Sequence, residues 1–320
     1  MQTYEIAIDA GNYDLKYWTG TGDPKAIRST KFTFPQQGRR NPLKSSETSP
    51  LLEYKDRIYH FGWQAYKYRS QSATVDTDKA QIALLNALAC VDPPEAEFEL
   101  VVHTSHPQPE LKEKTIRSAL MGTHIFKRNG VKAIAHIKRV TVAPEGFPAY
   151  LHAKELGLVP DRGLTLVIDI GGGTVCVRLV DSDDEIVDGV VWDKGGGYEL
   201  AARIAQDCRL TEALGDRPDP SIIMDGFANG THYYQEMTRA SWRDYFDDYR
   251  KEWFGELFNK IRTQFQPFAP QITRMLLTGG SSLLIGDLIP PKAILKQIPN
   301  PRFANVRGLY PAMEGVRKAS

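Results

Sequence analysis

One short pattern occurs twice in the chain, and it narrows the possible architectures more than any other feature. The apolar run Tyr4–Asp9 ends in an aspartate, turns at Gly11 and Asn12, and continues as a second strand-like run over Tyr13–Thr19. The run Leu164–Asp169 also ends in an aspartate, turns at Gly171-Gly172-Gly173-Thr174, and continues into Val175–Val180. Asp169 follows Asp9 by 160 residues, and Gly171 follows Gly11 by the same interval. Each copy turns again, at Thr19–Pro24 and at Ser182–Glu185, into a third run, Ala26–Phe34 or Ile186–Trp192. Apolar alternation broken by glycine turns predicts a β-meander at the start of each half. A unit present only twice excludes a solenoid and predicts two related α/β domains. The length of 320 residues agrees, since one domain usually takes about 100–200 residues.

Between and after the repeats the pattern mixes strands and helices. Leu52–Phe61 predicts a strand pair, Glu99–Val102 a short strand, and Ala133–Ala143 a strand that runs into Pro144-Glu145-Gly146. Thr77–Ala89 places Ile82, Leu84, Leu85 and Leu88 at helical spacing. Pro109–Met121 and Phe147–Leu156 predict helices, the second stopped by Gly157. In the second half Gly195-Gly196-Gly197 opens a helix over Tyr198–Leu210, and Thr231–Phe265 is mostly helical. A strand over Met275–Leu277 enters Thr278-Gly279-Gly280-Ser281-Ser282, and Phe303–Met313 predicts a last helix. Gly215–Asn229 is turn-rich and unassigned. Pro35–Pro50 predicts a polar surface loop whose Arg39, Arg40 and Lys44 are available to an anionic partner. Trp242, Tyr245, Phe246, Tyr249, Trp253, Phe254 and Phe258 follow steps of three and four, the core face of an amphipathic helix. Asp244, Asp247, Asp248, Arg250 and Lys251 then form its solvated side.

Charge and cysteine usage exclude several classes. Lys+Arg 40 against Asp+Glu 39 leaves a net charge of +1. No global basic field exists to drive sequence-independent DNA binding, which depends on neutralising phosphates. The three cysteines, Cys90, Cys176 and Cys208, are too few and scattered for a disulfide framework or a paired zinc site. The N-terminal residues lack the basic and apolar segments of a secretory signal, and no uncharged apolar run reaches the roughly 20 residues that span a bilayer. The expectation is a soluble cytoplasmic protein without a transmembrane segment.

The repeated turn also carries chemistry. An aspartate at a strand end projects a carboxylate, and the glycine turn behind it exposes backbone N–H groups. Together these suit phosphate oxygens and Mg²⁺, which keeps much of its water shell. The turns at Gly195–Gly197 and Gly279–Gly280 each stand between a strand and a helix, where closely approaching backbone suits phosphates and nucleosides. No G-x-x-x-x-G-K-[ST] and no G-x-G-x-x-G is present, which argues against the two commonest nucleotide folds.

The constellation resembles the actin, Hsp70 and hexokinase superfamily, and within it the ParM-like plasmid-segregation actins. IDAGNYDLK (Ile8–Lys16) is similar to the first phosphate loop of that group, and VIDIGGGTVCV (Val167–Val177) to the second. LLTGGSS (Leu276–Ser282) is similar to its adenosine motif, while VAPEGFPAYL (Val142–Leu151) and ANVRGL (Ala304–Leu309) resemble its two connecting segments. FGWQA (Phe61–Ala65) resembles a further short segment. Residues 30–60 and 210–265 match nothing in the family pattern, and HTSHP (His103–Pro107) replaces a more apolar, glycine-containing turn. A sheet hydrogen bond, rather than a metal, is expected of His103.

The resemblance implies an actin-like ATPase fold, two related α/β domains with a nucleotide cleft between them. Residues 1–155 and 303–320 would form the first domain, and 156–302 the second. ATP or ADP with Mg²⁺ is the implied ligand. Asp9 and Asp169 would hold the Mg²⁺ water shell, and Gly11, Asn12, Gly171, Gly172, Gly173 and Thr174 would surround the phosphates. Lys16 would reach the β- and γ-phosphates. Gly195, Gly279, Gly280 and Ser281 complete the implied nucleotide set. Glu145 stands where the family positions the attacking water, with Asp169 as the second catalytic group. The implied activity is ATP hydrolysis coupled to filament formation by self-association. The implied task is moving or positioning plasmid DNA through a small DNA-binding adaptor rather than by direct nucleic-acid contact. A cell-shape filament and a small-molecule kinase or phosphatase on the same fold are the alternatives.

Overall fold

A computed structural model describes residues 1–29, 31–35, 44–67, 80–234, 240–290 and 293–310. The chain divides into two units, one spanning Met1–Leu156 with the segment from Phe303 onward, the other Gly157–Arg302. The first unit begins with β1 (Thr3–Ala10), β2 (Asp14–Trp18), β3 (Lys25–Arg28), β4 (Lys31–Pro35), β5 (Leu51–Tyr54) and β6 (Arg57–Phe61). Helices α1 (Gly62–Lys67) and α2 (Ala80–Cys90) follow, then β7 (Glu97–His106), α3 (Pro109–Leu120), β8 (Gly122–Arg128), β9 (Val131–Pro144) and α4 (Phe147–Glu155). The second unit carries β10 (Leu164–Ile170), β11 (Val175–Val180), β12 (Ile186–Trp192), α5 (Gly197–Ala205), α6 (Cys208–Leu214) and α7 (Pro220–Asn229). It continues with α8 (Arg243–Gln264), β13 (Ile272–Thr278) and β14 (Leu295–Gln297), and α9 (Ala304–Gly308) ends the described chain.

The repeat extends well beyond its two turns. Among the described residues the first sheet has the order β3-β2-β1-β7-β9-β8-β5-β6-β4, and the second β12-β11-β10-β13-β14. In both, a three-strand antiparallel meander is followed by two parallel strands. The central strands explain this order. All seven residues of β10 are buried, as are Ile6–Asp9 of β1, the continuous burial expected of strands covered on both faces. Leu84, Leu85 and Leu88 of α2 and Ile116 and Leu120 of α3 join Ile6, Ile8, Leu100 and Val102 in the core of the first unit.

Several sequence expectations need correction. The run Ala26–Phe34 is two strands, because Ser29 turns back onto the first hairpin. Its N–H donates to Tyr13 O at 3.1 Å and its Oγ to Gly11 O at 2.6 Å. β4 then pairs with β6 at the far edge of the sheet. The strand expected over Glu99–Val102 is ten residues long, and β8 was not anticipated at all. Gly215–Asn229 contains α7, capped by Asp219 accepting from Ser221 N at 2.9 Å. Trp242, Tyr245, Phe246 and Trp253 are buried as a core face. Arg250, however, is not on the solvated side of α8. It is buried and reaches Asp287 at 2.7 Å and Asp247 at 2.8 Å. Of the basic loop residues, Lys44 is exposed, whereas Arg39 and Arg40 lie outside the described residues, as do Thr77–Lys79 and Pro311–Met313 of the two expected helices. No helix among the described residues is long and apolar enough to cross a membrane.

Burial pushes the His60 imidazole down to about 4, against roughly 6.5 in an unfolded chain. Between those values the unfolded chain binds a proton that the native state refuses, so stability falls as the pH drops through this window. Burial lowers His124, His152 and His232 as well. The urea midpoint is therefore expected to decline from pH 6.5 to 4.5. His60→Gln should flatten the decline, whose slope is at most about 1.4 kcal/mol per pH unit for each such group. An unchanged slope in the variant would remove His60 as a cause.

Candidate functional site

The first turn is a tight hairpin between β1 and β2. Gly11 N donates to Asp14 O at 3.0 Å, and Asp9 faces Lys16 in the cross-strand register. The Lys16 ammonium lies 2.9 Å from Asp9 Oδ2, with both side chains largely buried. A side chain at Gly11 would meet Asp14 O at 2.9 Å and Lys16 Nζ at 3.2 Å, so the glycine is what admits the lysine.

The second turn closes in the same way, with Gly171 N donating to Thr174 O at 2.9 Å. Asp169, 4% exposed, faces Cys176 in register. Cys176 occupies the place that Lys16 holds in the first copy, 160 residues earlier, so the lysine belongs to one turn only.

Two further glycine segments of the same unit close around the second turn. Gly197 N donates to Gly171 O at 3.1 Å and Tyr198 N to Gly172 O at 2.7 Å, which docks the start of α5 onto the turn. A Cβ at Gly196 would fall 2.6 Å from Gly171 O and 2.7 Å from Gly172 O. Ser281 Oγ donates to Gly171 O at 2.8 Å. Gly279 has φ +85°, and a Cβ there would press on Asp169 Oδ1 and Ile170 O. β13 runs parallel to β10 with Thr278 beside Asp169, so the Gly279-Gly280-Ser281 turn emerges next to the Asp169 turn. The structure thus gathers Asp169, Gly171–Thr174, Gly196–Gly197 and Gly279–Ser281 into one backbone cradle.

Gly195, singled out from sequence, stands one residue before this close approach. Its carbonyl accepts from Trp253 Nε1 at 3.0 Å and its φ of +105° sets the bend. Gly196 and Gly197 make the close approach instead, a distinction invisible in a run of three identical residues. In the first unit, Glu145 sits half-buried between β9 and α4. Its N–H donates to His106 O at 3.0 Å, and Gly146 behind it has φ +87°. His103 is fully buried in mid-strand, with Nδ1 2.9 Å from Thr141 Oγ1 and Nε2 3.4 Å from Glu5 Oε2. Among the described residues no cluster of three or more His, Cys, Asp or Glu could enclose a metal. A single carboxylate on each turn suits a cation that keeps its water shell, as Mg²⁺ does.

Residues 7–147 match the family described as actin-like proteins, N-terminal domain. No curated protein matches the sequence. Among solved structures, the chain is similar to the native form of an archaeal actin homologue, at 18% identity and a TM-score of 0.80 over 98% of this chain and 99% of that one. The same homologue in complex with ADP gives 0.78 at 18% identity over 98% and 99%. The apo psk41 ParM protein gives 0.70 at 16% identity over 100% and 99%. A 15-stranded ParM filament from Clostridium botulinum gives 0.74 at 18% identity over 98% and 100%. Residues 7–147 thus match the N-terminal domain of the actin-like proteins, and the chain shares the actin-like fold over 98% of its length.

Proposed function

We propose that the chain is a ParM-like, filament-forming ATPase that binds and hydrolyses Mg-ATP and moves or positions plasmid DNA through a small adaptor protein. The observation that carries this reading is the duplicated hairpin. Two Asp-x-Gly turns, 160 residues apart, close with the same hydrogen bond and bury an aspartate at the same register position. The ADP complex of the archaeal homologue and the ParM filament support it as analogies of fold.

In this reading Asp9 and Asp169 hold the water shell of Mg²⁺, which neutralises phosphate charge when bound. The N–H groups of Gly11 and Gly171 are already engaged across their turns. The amides that follow, those of Gly172 and Gly173 above all, serve the phosphate oxygens. Lys16 moves its charge from Asp9 to the β- and γ-phosphates. Gly279, Gly280 and Ser281 admit the nucleoside against backbone. Glu145 orients the attacking water. A nucleotide that favours the assembling conformation couples its own binding to polymer growth, and head-to-tail contacts that do not close build an open filament.

Light scattering and pelleting with Mg-ATP, Mg-ADP and no nucleotide test this. Assembly and phosphate release that both require Mg-ATP are expected. No assembly at any concentration, with phosphate transferred to a metabolite, would establish the kinase alternative. Loss of the plasmid on deletion of the gene, with unchanged cell shape, is expected for the segregation role.

A further inference from the structure

The first unit contains a cavity of about 470 Å³ lined by Tyr4–Ile6 and by Tyr17 and Trp18, at the end of the β1–β2 hairpin away from Gly11. This volume lies within the usual range of roughly 300–1,000 Å³ for small-molecule sites. None of the residues assigned to the nucleotide lines it. Ile6, Trp18, Val91 and Leu100 give it an apolar, partly aromatic wall.

Two buried polar groups on this wall retain unused donors. Arg128 is 3% exposed; its Nε donates to Ala89 O at 2.9 Å and its Nη1 to Asp92 Oδ1 at 2.8 Å. Its Nη2 makes no hydrogen bond among the described residues. Neither does the hydroxyl of Tyr17, which is 6% exposed. Burial, reinforced by the neighbouring Cys90, raises this phenol far above its ordinary range, so it stays a neutral O–H donor. Both donors open onto the cavity, within reach of an acceptor placed there. Each carboxylate of the lining has a basic side chain beside it: Arg128 2.8 Å from Asp92, Arg139 3.9 Å from Glu5, Arg307 3.5 Å from Asp23 and Lys25 3.6 Å from Glu47. The unmet demand is therefore for an acceptor.

We infer that this cavity is a binding site for a small organic anion with an apolar body, an aromatic or aliphatic carboxylate whose head accepts from Arg128 and Tyr17 while its body rests on Trp18 and Leu100. The site is independent of the nucleotide turns and of the ATPase reading.

Ligand-observed NMR and calorimetry on the full chain test it with 1-naphthoate, indole-3-acetate and octanoate, each against its neutral amide. At least one carboxylate is expected to bind saturably. Its amide should bind about tenfold more weakly, as loss of a charge-assisted hydrogen bond implies. Tyr17→Phe, which keeps the ring and the fold, and Arg128→Gln should each weaken the carboxylate to a similar degree. No saturable binding up to about 1 mM, or affinity unchanged in both variants, would overturn the inference.

Discussion

Glu145→Ala is expected to lower ATP hydrolysis by about 10²–10³-fold while leaving nucleotide binding and Mg-ATP-dependent assembly intact. The Glu145 N–H is tied to His106 O at 3.0 Å, and Gly146 at φ +87° directs the chain into α4. Both features belong to the backbone and are kept when the side chain is truncated. Phosphoryl transfer rests on positioning and charge neutralisation, and a positioned carboxylate acting on the attacking water typically contributes about 10²–10⁴-fold. Filaments of the variant should persist longer, since their nucleotide stays unhydrolysed. Phosphate release alongside light scattering and a fluorescent ATP analogue checks all three points. Wild-type hydrolysis in the variant would remove Glu145 from the reaction. Asp169→Ala makes the contrasting case: it should reduce Mg-dependent turnover and nucleotide affinity together.

Gly308→Ala is expected to destabilise the protein by about 4 kcal/mol or more, at the severe end of single substitutions. A Cβ at Gly308 would lie 1.6 Å from Pro148 O, and backbone cannot yield as a flexible side chain does. α9 and α4 would have to separate, pulling Val306 and Leu309 out of their contacts with Ala7 and Ala143. Gly255→Ala is the internal control. It lies within α8, with open space around its Cβ position and no positive φ. Here alanine should stabilise by about 0.5–1 kcal/mol through helix propensity alone. Urea denaturation of both variants decides the matter, and equal effects would refute the close approach of α9 to α4.

Particular elements show where sequence reading succeeds and where it stops. The two Asp-x-Gly hairpins were legible because the turn hydrogen bond and the cross-strand pair that close each of them lie within eight residues, from Asp9 to Lys16 and from Asp169 to Cys176. The core face of α8 was legible from its aromatic spacing. The fate of Arg250 was not, because its partner Asp287 stands 37 residues further on and nothing local distinguishes Arg250 from a solvated charge. The choice among Gly195, Gly196 and Gly197 was equally closed to sequence. It depends on which backbone the turn meets, the Gly171 and Gly172 carbonyls or the Trp253 indole. The cavity at Arg128 and Tyr17 left no motif, since its wall is assembled from segments as distant as Tyr4 and Arg128.

The sequence by itself determined the repeat of 160 residues, the two meanders and the carboxylate-bearing turns, because alternation and glycine act over a few neighbouring residues. Only the tertiary structure decided that the repeat covers five strands in each sheet, that β4 crosses to the far edge, and that α9 meets α4 at Pro148. Those outcomes depend on burial and on hydrogen bonds between residues far apart in the chain, where several pairings satisfy the same local pattern and packing selects among them.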